Sequence, residues 1–173
     1  MSLHIIIDGY NLIRQSASLS AFEQIDLQQG RERLLSLLLE YKKIKHYNIT
    51  VVFDGANAPS SSRRTDHSFG IGVKFSQNGE LADDVIKRMA AAEREKALVV
   101  SSDREIANFA SAHGAATISS SMFEEKMALA AYLKTDAGDE DEDAGWTPTT
   151  KKHGPRKRLS KRLRRSKIKI QKL

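Results

Sequence analysis

Three aspartates in this chain each stand at the end of an apolar, largely β-branched run. Asp8 closes Leu3-His4-Ile5-Ile6-Ile7, Asp54 closes Ile49-Thr50-Val51-Val52-Phe53, and Asp103 follows Ala97-Leu98-Val99-Val100-Ser101-Ser102. Asp83 and Asp84 open a helical stretch between the second and third runs. Taken singly, Asp8 and Asp54 read equally well as Asp-Gly turns, Asp103 as a helix cap, and Asp83 and Asp84 as acids drawn to a helix dipole. Those separate explanations do not account for acids gathering at one edge of a sheet. Carboxylates crowded together raise one another's pKa, and a divalent cation relieves the repulsion. Mg²⁺ or Mn²⁺ prefers carboxylate and water oxygens, and such ions activate water and stabilise a leaving oxygen at phosphorus.

Within Gly79-Glu80-Leu81-Ala82-Asp83-Asp84 the two aspartates cannot serve alike, because adjacent helical residues point about 100° apart. Leu81 and Val85 bracket the buried face, which makes Asp83 the inward acid; Glu80 could contribute from the loop. Asn11, three residues after Asp8, can orient that carboxylate or a phosphate oxygen. Other phosphate chemistry lacks its residues. There is no Gly-x-x-x-x-Gly-Lys loop, and Gly70-Ile71-Gly72 meets Phe75 where a dinucleotide fingerprint needs its third glycine. A phosphatase with an aspartyl nucleophile wants an acid at Tyr10. His4, His46, His67, His113 and His153 have no metal-ligand spacing, and His67 reads as an exposed loop residue.

The elements that must carry these acids alternate. Residues 3–7, 49–53 and 97–101 read as buried strands, with a short edge strand at 73–76 and a last one at 115–118. A helix runs from an Asp26 cap, with Gln29 as its capping-box partner, to about Lys45, and shows Leu27, Leu34, Leu38 and Tyr41 at helical spacing. Further helices cover about 81–95, 104–113 with Gly114 ending it, and a stretch capped by Ser121 and Glu124 that ends near Lys134. Gly55 to about Gly72 is a polar loop. Strands apolar on both faces, alternating with helices, imply a mainly parallel sheet covered on both sides, an α/β fold. In such sheets ligands bind beyond the carboxyl ends of the strands, where Asp8, Asp54 and Asp103 fall.

At 173 residues the chain holds one domain. The absence of cysteine excludes disulfides, thiolate metal sites and cysteine nucleophiles. No apolar run approaches the roughly 18 residues of a membrane span, and no signal peptide is visible, so a cytoplasmic protein is expected. The net charge of +6 is segregated. Residues 151–173 hold 12 Lys or Arg and no acid, and residues 136–143 hold 6 acids and no base, which leaves 16 of each sign in residues 1–135. The basic character therefore belongs to the tail, which is expected to lack fixed structure when free. Leu159 and Leu163 could share a face if it turns helical on a partner. It contains no Phe, Tyr or Trp for base stacking, and too few apolar residues for membrane insertion, which points to RNA phosphates, ribosomal RNA above all.

Asp8-Gly9-Tyr10-Asn11, Phe53-Asp54, Gly79-Glu80-Leu81-Ala82-Asp83, Ser102-Asp103-Arg104 and Gly114-Ala115 through Ser119 fall in order. Together they resemble the NYN domain family, in its YacP-like branch within the PIN-like nuclease superfamily, over roughly residues 3–133. The resemblance implies a three-layer α/β/α sandwich with an acidic metal pocket and endoribonuclease activity, and a member of this branch works on translated messenger RNA at the ribosome. It places Asp8, Asp54, Asp83 and Asp103 in the pocket with Asn11 beside them. Asp84 ranks lower, because many relatives carry no acid there. The basic tail matches nothing in the family core.

The expected organisation is thus a nuclease domain at 1–135, an acidic linker at 136–150 and a basic tail at 151–173. The leading function is a metal-dependent endoribonuclease. Asp8, Asn11, Asp54, Asp83 and Asp103 form its site, Glu80 and Asp84 are auxiliary candidates, and Mg²⁺ or Mn²⁺ is the cofactor. Arg63, Arg64 and Lys74 would guide the RNA backbone, with Lys157, Arg158, Arg162, Arg164 and Arg165 in the tail. A PIN-like module that binds RNA or the ribosome without cutting is the alternative, and a structure-specific DNA nuclease ranks last. Oligomeric state is not legible.

Overall fold

The computed structural model describes residues 3–57, 65–68, 70–77, 79–136 and 160–173. Each apolar run forms a strand: β1 (His4–Asp8), β2 (Asn48–Phe53), β4 (Ile71–Phe75), β5 (Ala97–Val100) and β6 (Ala116–Ile118), with the short β3 (Thr65–Ser68) preceding β4. They join in one sheet of order β3-β4-β2-β1-β5-β6, in which only β3 runs antiparallel. The stretch at 73–76 was expected at the sheet edge. It lies inside instead, because the polar loop supplies β3 to cover it. β1 sits between β2 and β5, so the chain leaves it toward one side of the sheet and later returns to its other side. That reversal of strand order is where open α/β sheets form their ligand crevice.

Seven helices complete the described fold: α1 (Gly9–Gln15), α2 (Ala17–Ile25), α3 (Leu27–Lys45), α4 (Ala82–Glu93), α5 (Arg104–Ala112), α6 (Ser120–Asp136) and α7 (Lys161–Gln171). Side chains alternate along the strands, and the core divides accordingly. Ile5, Ile7, Val51, Phe53, Leu98 and Val100 pack with Leu34, Leu38, Tyr41 and Phe123 of α3 and α6. Ile6, Val52 and Val99 pack on the other face with Val85, Ile86, Ile106 and Ala110 of α4 and α5. The expected three layers are therefore present. None of the helices is long and apolar enough, among the described residues, to cross a membrane.

Local signals explain most helix boundaries, with two differences. Asp26 precedes α3 but makes no side-chain cap bond, so the expected pairing with Gln29 does not form. At α6 the hydroxyl that accepts from the first turn belongs to Ser119, which takes Met122 N–H at 3.3 Å. Glu124 turns away to accept from Ser16 at 2.5 Å. Ser16 also caps α2, so one buried serine fixes the junction of α1, α2 and α6.

The tail departs from expectation over residues 160–173. Residues 137–159, which include most of the acidic linker as well as Lys157, Arg158 and Leu159, lie outside the described residues. From Ser160, which caps it, the chain forms α7 and then packs on the body. Leu173 is only 3% exposed. The Tyr41 hydroxyl donates to its carbonyl at 3.1 Å, and Lys172 O accepts from Lys45 Nζ and the Tyr47 hydroxyl at 3.2 and 3.0 Å. Leu163, expected to share with Leu159 a face for a partner, is 55% exposed; Ile170 and Leu173 pack on the body. A charged helix orders here because a few apolar groups at its end find the core.

Candidate active site

Strand register sets the site. Ile7 pairs with both Val51 and Val100, and Asp8 pairs with Val52. One residue further on, β5 leads into Ser101 and β2 into Phe53 and then Asp54, so the three strand ends come out nearly level. The glycines after Asp8 and Asp54 are steric requirements. A Cβ on Gly9 would lie 2.3 Å from Phe53 Cε1, and one on Gly55 would lie 2.0 Å from Ser76 O. Each permits the backbone to turn sharply behind its aspartate, which is why Asp-Gly occurs at both strand ends.

Asp8 is the buried member, 8% exposed. It caps α1 by accepting from Asn11 N–H at 3.3 Å, and Ser101 Oγ donates to its Oδ2 at 3.0 Å. Burial pushes its pKa up to about 6, the negative charges of Asp83 and Asp103 push the same way, and the bonds from Ser101 and Asn11 only partly offset this. Asn11 ties the next two loops together. Its Oδ1 accepts from Ser102 N–H at 2.9 Å and from Ser120 Oγ at 2.7 Å. Ser101, Ser102 and Ser120 were not singled out as site residues, yet they hold Asp8 and Asn11 in place.

Asp8, Asn11, Asp54, Asp83 and Asp103 line one crevice of about 300 Å³, together with Tyr10, Arg14, Gln15, Leu81 and Ala82. Asp54 accepts from Ala56 N–H at 3.1 Å. Asp103 caps α5 through Glu105 N–H at 2.6 Å and Ile106 N–H at 3.4 Å. Partial burial raises the Asp83 pKa, and Asp103 adds to the effect. Asp84, by contrast, is exposed and accepts from Leu81 N–H at 3.4 Å at the start of α4. Glu80 accepts from Arg88 at 2.6 Å and from Gln77 N–H at 3.2 Å, and does not line the crevice. Among the described residues no three acidic or imidazole groups stand close enough to form a ready-made metal cage. The crevice thus gathers four aspartates around open space.

Of the residues expected to guide RNA, Arg63 and Arg64 lie outside the described residues. Lys74 is half-buried in β4 and does not line the crevice. Arg162, Arg164 and Arg165 lie on α7, and Arg165 Nη1 pairs with Glu95 at 2.7 Å. Arg14 is the lining cation that sequence reasoning missed. Its guanidinium lies 5.3 Å from the Tyr10 ring centre, and its Nε donates to Glu23 at 3.2 Å. The Tyr10 hydroxyl in turn accepts from the buried Arg31 at 2.7 Å. No local pattern marks Arg14, since its place depends on α1 forming where helix signals are weak.

Comparison with known proteins agrees with this architecture. The YacP-like NYN domain matches over residues 5–171, so the match runs through α7. A Bacillus subtilis protein described as uncharacterized protein YacP is 27% identical over 89 residues, which are 51% of this chain and 51% of that one. The aligned part thus spans about half the length of that curated relative. Two crystal structures of Rae1 (YacP) from Bacillus subtilis superpose on this fold. One, of a point mutant, has a TM-score of 0.66 at 22% identity, covering 79% of this chain and 80% of that one. The other has a TM-score of 0.65 at 24% identity, covering 79% of each.

Proposed function

The chain belongs to the YacP-like NYN domain family, a nuclease-type family, and from that membership we propose that it is a metal-dependent endoribonuclease. Its substrate on this reading is RNA, with ribosome-associated messenger RNA as the natural form and the cytoplasm as the setting. The observation that carries the proposal is the single crevice in which Asp8, Asp54, Asp83 and Asp103 converge, with the Asp8 carboxyl held up at a pKa of about 6.

The donor set fits a hard divalent cation: all four are carboxylates, and no sulfur or imidazole lines the crevice. Asp8, Asp54, Asp83 and Asp103 would hold Mg²⁺ or Mn²⁺. Bound there, such an ion supplies Lewis-acid charge at phosphate and lowers the pKa of water. The chain's own contribution is positional. Ser101 and Asn11 N–H fix the direction of the Asp8 oxygens, Asn11 fixes the loops that present Asp103, and Arg14 offers a positive charge to an RNA phosphate at the rim. The reaction is hydrolysis, in which water adds to phosphorus and one P–O ester bond breaks.

The absence of a ready-made cage among the described residues favours a second reading, a module that binds RNA without cutting it. Cleavage of RNA by wild type and Asp8→Asn, with Mn²⁺ or Mg²⁺ and with or without ribosomes, separates the two. Metal-dependent cutting lost in Asp8→Asn supports the enzyme. Binding without cutting in every condition supports the module.

A further inference from the structure

The fold has a second pole that the nuclease reading does not use. At the amino ends of the parallel strands, opposite the aspartates, a cavity of about 460 Å³ is lined by Leu3, Lys45, His46, Tyr47, Glu95, Lys96, Lys169 and Lys172. Three separate pieces build it: the turn from α3 into β2, the turn before β5, and α7. Four lysines line one space. The single acid in the wall, Glu95, is already paired with Arg165 through both oxygens at 2.7 and 2.8 Å. Lys45 donates to Lys172 O and Lys169 to Glu95 O. Among the described residues neither Lys96 nor Lys172 has a partner for its ammonium.

We propose that this cavity binds phosphates of the RNA backbone, so that the protein grips RNA at one end of its sheet and presents the aspartates at the other. Like charges crowded at a partly enclosed site repel, and an anion relieves them. Burial holds the Lys169 ammonium below its ordinary pKa, with the Glu95 charge opposing the shift and Arg165 adding a smaller push to it. Backbone conformation shapes the wall of the cavity. The two non-glycine residues with positive φ among those described are His46 and Arg94, at 54° and 52°. His46 lines the cavity and Arg94 immediately precedes Glu95. Both residues end helices, α3 and α4, and turn the chain into the cavity wall. Leu3 touches this cavity and Asp8 the acidic crevice, and five residues of extended chain place them about 17 Å apart. The cationic cavity therefore lies beyond the opposite end of β1 from the acid and out of its reach, so RNA can be held there without the aspartates repelling it.

The proposal rests on the reading of the protein as RNA-acting, and its test is made independent of cutting. A fluorescein-labelled single-stranded oligoribonucleotide is titrated with the full chain carrying Asp8→Asn, in EDTA, over a series of salt concentrations. Adding Lys96→Ala and Lys172→Ala is expected to raise Kd about tenfold near 0.1 M salt. It should also flatten the slope of log Kd against log salt by about 1.4, at roughly 0.7 for each phosphate contact on a single strand. Lys96→Arg with Lys172→Arg should restore both. Unchanged Kd and slope in an alanine variant that melts like its parent would overturn the proposal. So would poly-glutamate displacing the RNA as well as unlabelled RNA of equal charge, which would make the cavity a carboxylate-binding surface. A wild type that binds but never cuts removes the nuclease reading and leaves this one standing; a wild type that cuts while the alanine variant binds unchanged does the reverse.

Discussion

Ser101 donates its hydroxyl to Asp8 at 3.0 Å while its own oxygen accepts Asp103 N–H at 3.1 Å. One buried serine thus joins the first and the last aspartate of the crevice. It sits there because the β1–β5 register puts it opposite Asp8.

That placement makes Asp8 a destabilising charge. Its pKa is about 6 in the folded chain and 3.8 without the fold. The folded state binds the proton more tightly, so this contribution to stability is full below about pH 4 and is lost as pH rises through 6. The loss amounts to about 3 kcal/mol at neutral pH. Asp8→Asn should therefore raise the Tm of the metal-free protein by several degrees near pH 7.5 and change it little near pH 4. A Tm that falls at both would show that burial does not oppose the charge.

Divalent cations should act on the same group. With Mn²⁺ at about 100 times its Kd, the wild type should gain roughly 2.7 kcal/mol of stability near pH 7.5. The gain should fade below about pH 6 as protons compete for Asp8, and it should shrink strongly in Asp8→Asn. Thermal shift measured with and without Mn²⁺ across pH reads this directly; equal shifts in both proteins would place the ion elsewhere.

Gly55→Ala drives a Cβ to 2.0 Å from the Ser76 carbonyl oxygen, a backbone atom with little room to yield. We expect a loss of about 1–3 kcal/mol in urea unfolding, accompanied by weakened metal binding, because Asp54 must move with the turn. Native stability in this variant would mean that the β4 end shifts freely.

Asn11→Ala leaves Ser102 N–H and the fully buried Ser120 hydroxyl without their shared acceptor. An unsatisfied buried donor costs about 1–3 kcal/mol, so stability should fall. RNA cleavage should fall more than stability alone explains, since the Asp103 loop loses its tie. Full cleavage by a folded Asn11→Ala protein would remove the positioning role.

Leu173→Ala should cost about 2–4 kcal/mol and release α7, because Leu173 joins the core beneath Tyr41. Hydrogen exchange of α7 amides measures the release; unchanged protection would mean that Arg165 and Lys169 suffice to dock the helix.

The apolar strands and Asp8, Asp54 and Asp103 were legible because an apolar run followed by an acid is a local pattern, and Asp83 because helix geometry separates it from Asp84. What the sequence hid is fixed by distant partners. α1 and α2 begin in a stretch with Gly9, Ser16, Ser18 and Ser20, which carries little helical signal, and their junction is set by Ser16 meeting Glu124 across 108 residues. β3 is a four-residue polar strand that exists because β4 offers an edge. Ser101 and Ser120 look like any loop serines until the register aligns them. The tail's charge suggested a chain without structure, and Ile170 and Leu173 reverse that for its final helix by reaching the core.

The bonds that hold Asp8 and Asn11 bridge 93, 91 and 109 residues. The first acid of the crevice therefore remains unsupported until β5 and the start of α6 are in place. A fragment that stops short of Ser101 carries the aspartate but not the scaffold that aims it.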